Sequence, residues 1–178
     1  MMLLFLASFE SANALSQTND NSSNEFVQKS TPKLAIETYV TGRRVQHDQW
    51  LLQCMNSNIT DNEKCNLIHQ INNQKNQQII KIEALKTAGV EAIIFYLPLG
   101  LYLPAGAKLI IGKSEYLMPI TTCLVSGCQA KVQPNLNLKQ QFLTEAKAIV
   151  QLLHINQKQN INIEFSLMGF SKGIKEIL

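Results

Sequence analysis

EAIIFYLPLGLYLPAGAKLIIG, residues 91–112, is the apolar centre of this 178-residue chain, and Lys108 is its only charged residue after Glu91. A run of about 20 apolar residues is long enough to cross a bilayer as a helix, so a membrane span is the first interpretation to weigh. Two prolines and two glycines argue against it, because each would break or weaken a helical turn. These residues are Pro98, Gly100, Pro104 and Gly106.

The second interpretation places two buried strands in the run, at 90–97 and 108–111, joined by a crossing that the prolines direct. The first segment is rich in β-branched and aromatic residues, which suit the pleated surface of a sheet. Segments that are apolar on both faces imply cover on both sides. We favour this interpretation and expect no transmembrane span in the mature chain.

The N-terminus has the form of a secretory signal peptide. MMLLFLASF is a short apolar run, and the Ala12-Asn13-Ala14 that follows has the small-x-small form of a cleavage site. No basic residue precedes the run, so a hydrophobic N-terminal strand is the alternative. Cleavage after Ala14 would remove Glu10 and leave 16 basic and 12 acidic residues, a formal charge of +4. These charges are spread along the chain, so no nucleic-acid partner is expected.

The polar residues 15–46, rich in Ser, Asn and Gln, predict a flexible leader after processing. Within it, 34–40 predicts a short first strand and 41–44 a turn. Residues 47–178 are numerous enough to bury a core. We therefore expect a signal peptide at 1–14, a leader at 15–46 and one folded domain at 47–178.

Four cysteines occur: Cys54, Cys65, Cys123 and Cys128. In an exported chain they are expected to pair, and four cysteines allow three connectivities. We favour the local pairs Cys54–Cys65 and Cys123–Cys128, worth roughly 3 and 2 kcal/mol in the chain-entropy model. Zinc is the alternative, but its sites usually have two to four residues between the cysteines, which fits only the second pair. Neither a metal nor another cofactor is expected.

Short segments separated by turn signals predict strands on both sides of the central run. Residues 79–85 place Ile80, Ile82 and Ala84 on one face, and Pro119 is expected at a sheet edge or a bulge. Strands with turns every 8–12 residues or so predict an all-β sandwich. The predicted strands are 47–55, 65–72, 79–85, 116–123 and 129–133.

The C-terminal part predicts one helix, a hairpin and a terminal helical turn. Asn137 is expected to cap a short helix over 138–147. Residues 148–154 could continue this helix or form a strand that pairs with 161–167. We favour the hairpin, because 161–167 alternates strictly between apolar and polar residues. Residues 171–178 predict one or two helical turns.

Several motifs follow one another in a recognisable order. Trp50 precedes Cys54, and Cys65 begins a strand. The phrase LPLGLYLPAGAKLIIG then follows, and later come Pro119-x3-Cys123 and Ser126-Gly127-Cys128-x-Ala130. The last phrase is Phe165-Ser166-Leu167-x-Gly169-Phe170-Ser171. This order resembles that of the invasion-associated locus B (IalB) family of bacterial exported proteins, and the likeness covers roughly residues 47–178.

The resemblance implies an Ig-like β-sandwich located in the periplasm, at the outer membrane or outside the cell, and a part in host-cell invasion. It implies neither enzyme activity nor catalytic residues. Trp50 is expected in the core near a disulfide, with an exposed interface anchor as the alternative. The residues carried over are structural: Trp50, the four cysteines, Pro98, Gly100, Pro104, Gly106, Gly127, Gly169 and Phe170.

Three functions are compared on this basis. The leading one is a non-enzymatic binding protein with an unidentified protein or cell-surface partner, contacted through the loops at 56–64 and 72–78. The second is a periplasmic chaperone or accessory factor for envelope or secretion machinery. An unpaired sheet edge that can accept a strand would favour this function. The third, an enzyme, would need His69 or His154 beside a nucleophile, and no G-x-S-x-G motif supports one.

Overall fold

The computed structural model describes residues 39–57, 63–87, 90–156 and 159–177, and strands account for most of them. The predicted signal peptide and most of the leader lie outside the described residues. The strands are β1 Tyr39–His47, β2 Trp50–Ser57, β3 Glu63–Asn72, β4 Gln78–Thr87, β5 Val90–Leu97, β6 Ala107–Ile111, β7 Ser114–Met118, β8 Ile120–Leu124, β9 Gly127–Val132, β10 Lys147–Leu153 and β11 Asn160–Ser166. The helices are α1 Leu136–Thr144, α2 Phe170–Ile174 and a short 3-10 helix, Leu103–Ala105.

The strands form two antiparallel sheets. The larger sheet has the order β1-β2-β3-β4-β5-β9-β8, and the smaller one has the order β11-β10-β6-β7. Alternate residues of both sheets enter one apolar core, as the period of two along a strand requires. Phe95 of the larger sheet meets Phe165 of the smaller one edge to face, with ring centroids 6.4 Å apart. The predicted all-β sandwich with two short helices is confirmed.

The central run divides between the two sheets, because β5 belongs to the larger sheet and β6 to the smaller one. Both predicted strands are confirmed. The expected cover on both sides is wrong, since Phe95 is fully buried while Ile94 and Tyr96 on the outer face stay half-buried. In an antiparallel sandwich only one face of each sheet packs against the core. The face predicted for β4, with Ile80, Ile82 and Ala84, is buried as expected.

The single strand predicted over 116–123 is wrong, because Pro119 divides it into β7 and β8. Pro119 lies between β7 and β8, where the chain passes from the smaller sheet to the larger. Proline has no N–H for a strand ladder, so it fits at this switch. β7 and β8 are both edge strands, which confirms the edge position expected for Pro119.

The turn predicted over 41–44 is wrong, because β1 continues through it as an edge strand. A shift of register between Thr41 and Arg44 marks a bulge, which accommodates residues that would otherwise end a strand. The chain instead turns at Asp48 and Gln49, so the strand predicted over 47–55 begins only at Trp50, and His47 is the last residue of β1. Asp48 has a φ of 49°, a left-handed conformation that aspartate tolerates better than most residues.

Helix α1 begins earlier than predicted. Asn135 is its N-cap, and the Asn135 side chain accepts a hydrogen bond of 2.9 Å from the Leu138 N–H. The cap predicted at Asn137 is therefore wrong, and its side chain donates to the Tyr116 hydroxyl instead. The helix ends at Thr144, before β10 begins. β10 pairs antiparallel with β11, which confirms the favoured hairpin.

Both local disulfides are present. Cys54 and Cys65 lie opposite each other on β2 and β3, with their Cα atoms 4.0 Å apart, and Cys123 and Cys128 do so on β8 and β9 at 3.9 Å. Since all four sulfurs are paired, they cannot act as thiolate ligands for zinc. Cys54 is fully buried, whereas Cys123 is exposed at the sheet edge.

Removing the first disulfide should cost more stability than removing the second. The double variant Cys54→Ser/Cys65→Ser is expected to lose about 3 kcal/mol or more of unfolding free energy, because it loses the longer loop constraint and places a hydroxyl in the core. Cys123→Ser/Cys128→Ser is expected to lose about 2 kcal/mol. Urea unfolding under oxidising conditions measures both values. Equal losses, or a reversed order, would contradict this ranking.

Candidate functional site

Trp50 lies in the core beside the C-terminal segment. Its side chain is fully buried, and its ring meets that of Phe170 edge to face with centroids 5.0 Å apart. The indole N–H donates a 3.1 Å hydrogen bond to the Ser166 carbonyl, which satisfies the one polar group of a buried tryptophan. The core interpretation of Trp50 is therefore correct, and it is not an exposed interface anchor.

Gly169 permits this contact by bringing the chain close to the β1–β2 turn. It has a φ of 96°, and a Cβ atom there would lie far inside van der Waals contact of the His47 carbonyl oxygen. Only glycine satisfies both conditions. Gly127 is similar, because a Cβ atom would lie 2.5 Å from the Leu97 carbonyl oxygen. At both glycines the backbone lies close to the backbone of another segment. The packing of Phe170 depends on this contact at Gly169, and the packing of the β8–β9 hairpin depends on it at Gly127.

Gly169→Ala should destabilise the fold strongly, by about 3 kcal/mol or more, because strain at a left-handed position adds to a backbone clash. Gly42→Ala is the matched control, since its Cβ atom would approach neighbours no closer than 3.3 Å and its φ is not left-handed. Thermal and urea unfolding compare the two variants. A Gly169→Ala variant as stable as Gly42→Ala would show that the close approach relaxes freely.

His69 lies in the same aromatic cluster. Its ring centroid is 5.1 Å from that of Trp50 and 6.1 Å from that of Phe165. Its Nδ1–H donates a 2.7 Å hydrogen bond to the Gln49 carbonyl. Burial lowers the pKa of His69 below its usual value, so the imidazole is neutral in the folded protein.

This burial should make the fold sensitive to acid. The unfolded chain has the higher histidine pKa, about 6.5, and therefore binds more protons as the pH falls. The contribution of neutral His69 to stability is complete above that pKa and is lost as the pH falls from there towards the folded pKa. The unfolding free energy should decline as the pH is lowered from neutral to about 5, and His69→Phe should make this decline less steep. An unchanged pH slope in His69→Phe would refute the assignment.

The other histidines have structural partners. His47 Nε2 lies 2.8 Å from the Glu176 carboxylate, which also accepts a hydrogen bond from Arg43. The Arg43 guanidinium, and secondarily His47, lower the pKa of Glu176. This carboxylate links the residues that follow α2 to β1. His154 Nδ1 accepts from the Asn156 N–H in the turn after β10. The histidines thus lie in separate hydrogen-bonding environments.

Exposed apolar side chains collect at one end of the sandwich. Of the ten large apolar side chains that are exposed among the described residues, seven belong to segments at this end. Val125 is 99% exposed at the tip of the β8–β9 hairpin, and Leu117 is 69% exposed on β7. We call this surface the apolar end, and its members are Leu99, Tyr102, Leu103, Leu117, Leu124, Val125 and Ile155.

Backbone contacts bring the segments of the apolar end together. The crossing between β5 and β6 is tied to the end of β10, because the Tyr102 N–H donates to the Leu153 carbonyl at 2.8 Å and the Ile155 N–H donates to the Gly100 carbonyl at 2.9 Å. β9 pairs with β5 up to Leu97, so the β8–β9 hairpin tip lies beside the start of the crossing. The exposed side chains therefore project from a hydrogen-bonded framework.

A separate apolar groove lies between the two helices and the β4–β5 hairpin. Phe142 and Leu143 of α1, Phe170 of α2 and Ile93 of β5 contribute to its lining, and an ion pair between Lys139 and Glu91 stands at its rim. Its volume of about 80 Å³ is well below the several hundred Å³ of typical small-molecule sites. The groove has room for one or two apolar side chains of a peptide.

Sequence reasoning proposed two polar loops as contact sites. Residues 58–62 of the first loop lie outside the described residues. The second, between β3 and β4, folds on itself, because the Asn73 side-chain oxygen accepts from the N–H groups of Lys75 and Gln77 at 2.9 Å. Binding by either loop stays a prediction.

The sequence model of the Invasion associated locus B (IalB) protein family matches residues 50–178. The chain belongs to the IalB family. Among solved structures, the crystal structure of invasion associated protein B from Bartonella henselae is similar, with a TM-score of 0.68 and 18% sequence identity. The alignment covers 76% of this chain and 96% of that chain, and at this identity it shows a shared fold. A search among curated proteins finds no match.

The IalB match begins at Trp50, so β1 precedes the matched stretch although it pairs with β2 along its length. Sequence reasoning also missed the apolar end: Leu99, Tyr102 and Leu103 lie in the crossing between the two predicted strands, and no contact surface was predicted there. Hydropathy alone does not separate a buried side chain from one exposed for contact. The available signal was the pair of prolines, Pro98 and Pro104, which bend an apolar segment out of both sheets.

Proposed function

We propose that this chain is an exported, non-enzymatic binding protein that acts in host-cell invasion or another host interaction, with the apolar end as its contact surface. Membership of the IalB family supports the association with invasion. The observation that carries the proposal is the concentration of exposed apolar side chains at one end, because monomeric soluble proteins rarely keep such patches unless they bind something.

The energetics favour contact at this end. Full burial of a leucine or valine side chain is worth about 1.5–3 kcal/mol, so a few of these side chains suffice for a stable complex. The main-chain hydrogen bonds of Tyr102 and Ile155 hold two of the segments in place. Little conformational entropy is then lost on binding, which favours affinity.

Location outside the cytoplasm belongs to the same proposal. Two disulfides are compatible with an oxidising compartment, namely the periplasm, the outer-membrane surface or the medium. No helix among the described residues is long and apolar enough to cross a membrane. The predicted signal peptide would supply the export route.

A second candidate is a periplasmic chaperone or accessory factor for envelope or secretion machinery. Two observations favour it: the apolar groove between α1 and α2 fits peptide side chains, and β11 forms one edge of the smaller sheet. An edge strand offers main-chain groups with which an extended peptide can pair. Deletion of the gene that weakens the envelope while leaving host invasion intact would favour this candidate.

Binding of the folded domain to host cells tests the leading proposal. Leu124→Ser/Val125→Ser should reduce the amount of protein bound to intact host cells at least about tenfold, because the loss of two buried aliphatic side chains exceeds the 1.4 kcal/mol that corresponds to a factor of ten. The variant should fold normally, since both side chains are exposed.

Leu136→Ser is the matched control, because Leu136 is 85% exposed at the start of α1 and lies outside the apolar end. It should bind cells as the unmodified protein does. Equal cell binding by the double variant would remove the apolar end from the proposal. No binding by the unmodified protein would count against the host-interaction function itself.

A further inference from the structure

We propose that the apolar end docks on a lipid bilayer that contains anionic lipids, with its aliphatic side chains placed among the headgroups and the first acyl carbons. This inference rests on the proposed function and names the chemistry of the partner. It draws on three features of the apolar end: the shape of the surface, its charge and the residues at its border.

The shape favours a deformable partner. Leu124 is the last residue of β8, and Val125 lies in the two-residue turn that joins β8 to β9, next to the Cys123–Cys128 disulfide. Val125 is almost wholly exposed. Leu117 projects separately from an edge strand. A protein partner would need a matching pocket for each projecting side chain, whereas lipid accommodates separate aliphatic side chains at the headgroup boundary.

The charge distribution fits anionic headgroups. Four of the segments at this end, residues 72–81, 96–107, 116–130 and the described part of 152–160, contain no acidic residue, although the whole chain has 13. The β1–β2 turn reaches the same end of the larger sheet and has one carboxylate, Asp48, which lies 3.6 Å from the Lys172 ammonium group. The four segments do contain basic residues, including the exposed Lys75 in the β3–β4 turn. The β3–β4 turn lies at this end because Lys81, near the start of β4, pairs with Tyr96, near the end of β5.

The nearest carboxylates along the strands are already paired with lysines. Glu115 on β7 lies 2.9 Å from the Lys108 ammonium group, and Glu83 on β4 lies 3.4 Å from that of Lys81. Repulsion between these carboxylates and an anionic membrane is therefore reduced. Exposed charges interact over about a Debye length, roughly 10 Å, so an end whose carboxylates are paired with lysines can approach anionic lipid closely.

One aromatic residue fits the boundary between water and lipid. Tyr102 is partly exposed in the crossing, and its N–H is held by the Leu153 carbonyl. Tyrosine is enriched at membrane interfaces because its ring is apolar and its hydroxyl is polar. With aliphatic residues on both sides of it in the crossing, Tyr102 marks the expected depth of insertion.

Co-sedimentation of the mature protein with protein-free vesicles tests the inference. Vesicles of phosphatidylcholine and phosphatidylserine are compared with vesicles of phosphatidylcholine alone. The protein should partition onto the anionic vesicles, less onto the neutral ones, and less at high salt. Leu124→Ser/Val125→Ser should lower the partition coefficient at least about tenfold, and Leu136→Ser should leave it unchanged.

Leu103→Ser provides an independent variant, because it changes the crossing and not the hairpin. It should also weaken partition, and circular dichroism with thiol titration should show that each variant is folded and oxidised. Absence of partition onto anionic vesicles, or equal partition of both apolar-end variants and the unmodified protein, would overturn the inference.

Further outcomes distinguish a failure of the lipid inference from a failure of the proposed function. Cell binding that survives without vesicle binding, and that protease treatment of the cells abolishes, would identify a protein partner: the lipid inference would fall and the proposed function would stand. Self-association that Leu124→Ser/Val125→Ser abolishes, without vesicle binding, would assign the surface to a second copy and would also overturn the lipid inference. Absence of both cell binding and vesicle binding by the unmodified protein would remove both proposals.

Discussion

The fold depends on how one apolar run, residues 91–112, is buried. Its two strands belong to different sheets and face the same core from opposite sides. β5 contributes Phe95 and Leu97 from the larger sheet, and β6 contributes Leu109 and Ile111 from the smaller sheet. A single chain can do this only if it leaves one sheet and enters the other between these strands. The two prolines and the 3-10 helix of the crossing supply that change of direction. At Pro119 the chain changes sheets a second time, between β7 and β8.

The C-terminal segment packs against β1, β2 and the turn between them. Gly169 lets the chain pass against the His47 carbonyl, and Phe170 then packs on Trp50. Glu176 adds an ion pair with Arg43 of β1. These contacts join residues more than 100 positions apart, so the motif that ends the IalB-like sequence serves to close the domain.

Because of these constraints, the residues that form the core differ from those that form the apolar end. The residues from which the family resemblance was inferred include Trp50 and Phe170, which are buried, the glycines of close approach and the cysteines. The apolar end lies where the crossing, the β8–β9 hairpin and the turn after β10 meet, and its side chains are not needed to fill the core. A surface of this kind can vary in composition while the sandwich beneath it is maintained.

The sequence by itself determined the class of fold, both disulfide pairs and most strands, because alternation, β-branched residues and local cysteine spacing act over a few neighbouring residues. It also identified Trp50 as a core residue. The tertiary structure decided the rest. Which sheet β5 and β6 join depends on pairing with distant strands, and the turn predicted at 41–44 became a bulge because β2 pairs with β1 on both sides of it. The apolar end, too, exists only in three dimensions: its side chains come from separate segments, and their exposure follows from what the packed sheets leave uncovered.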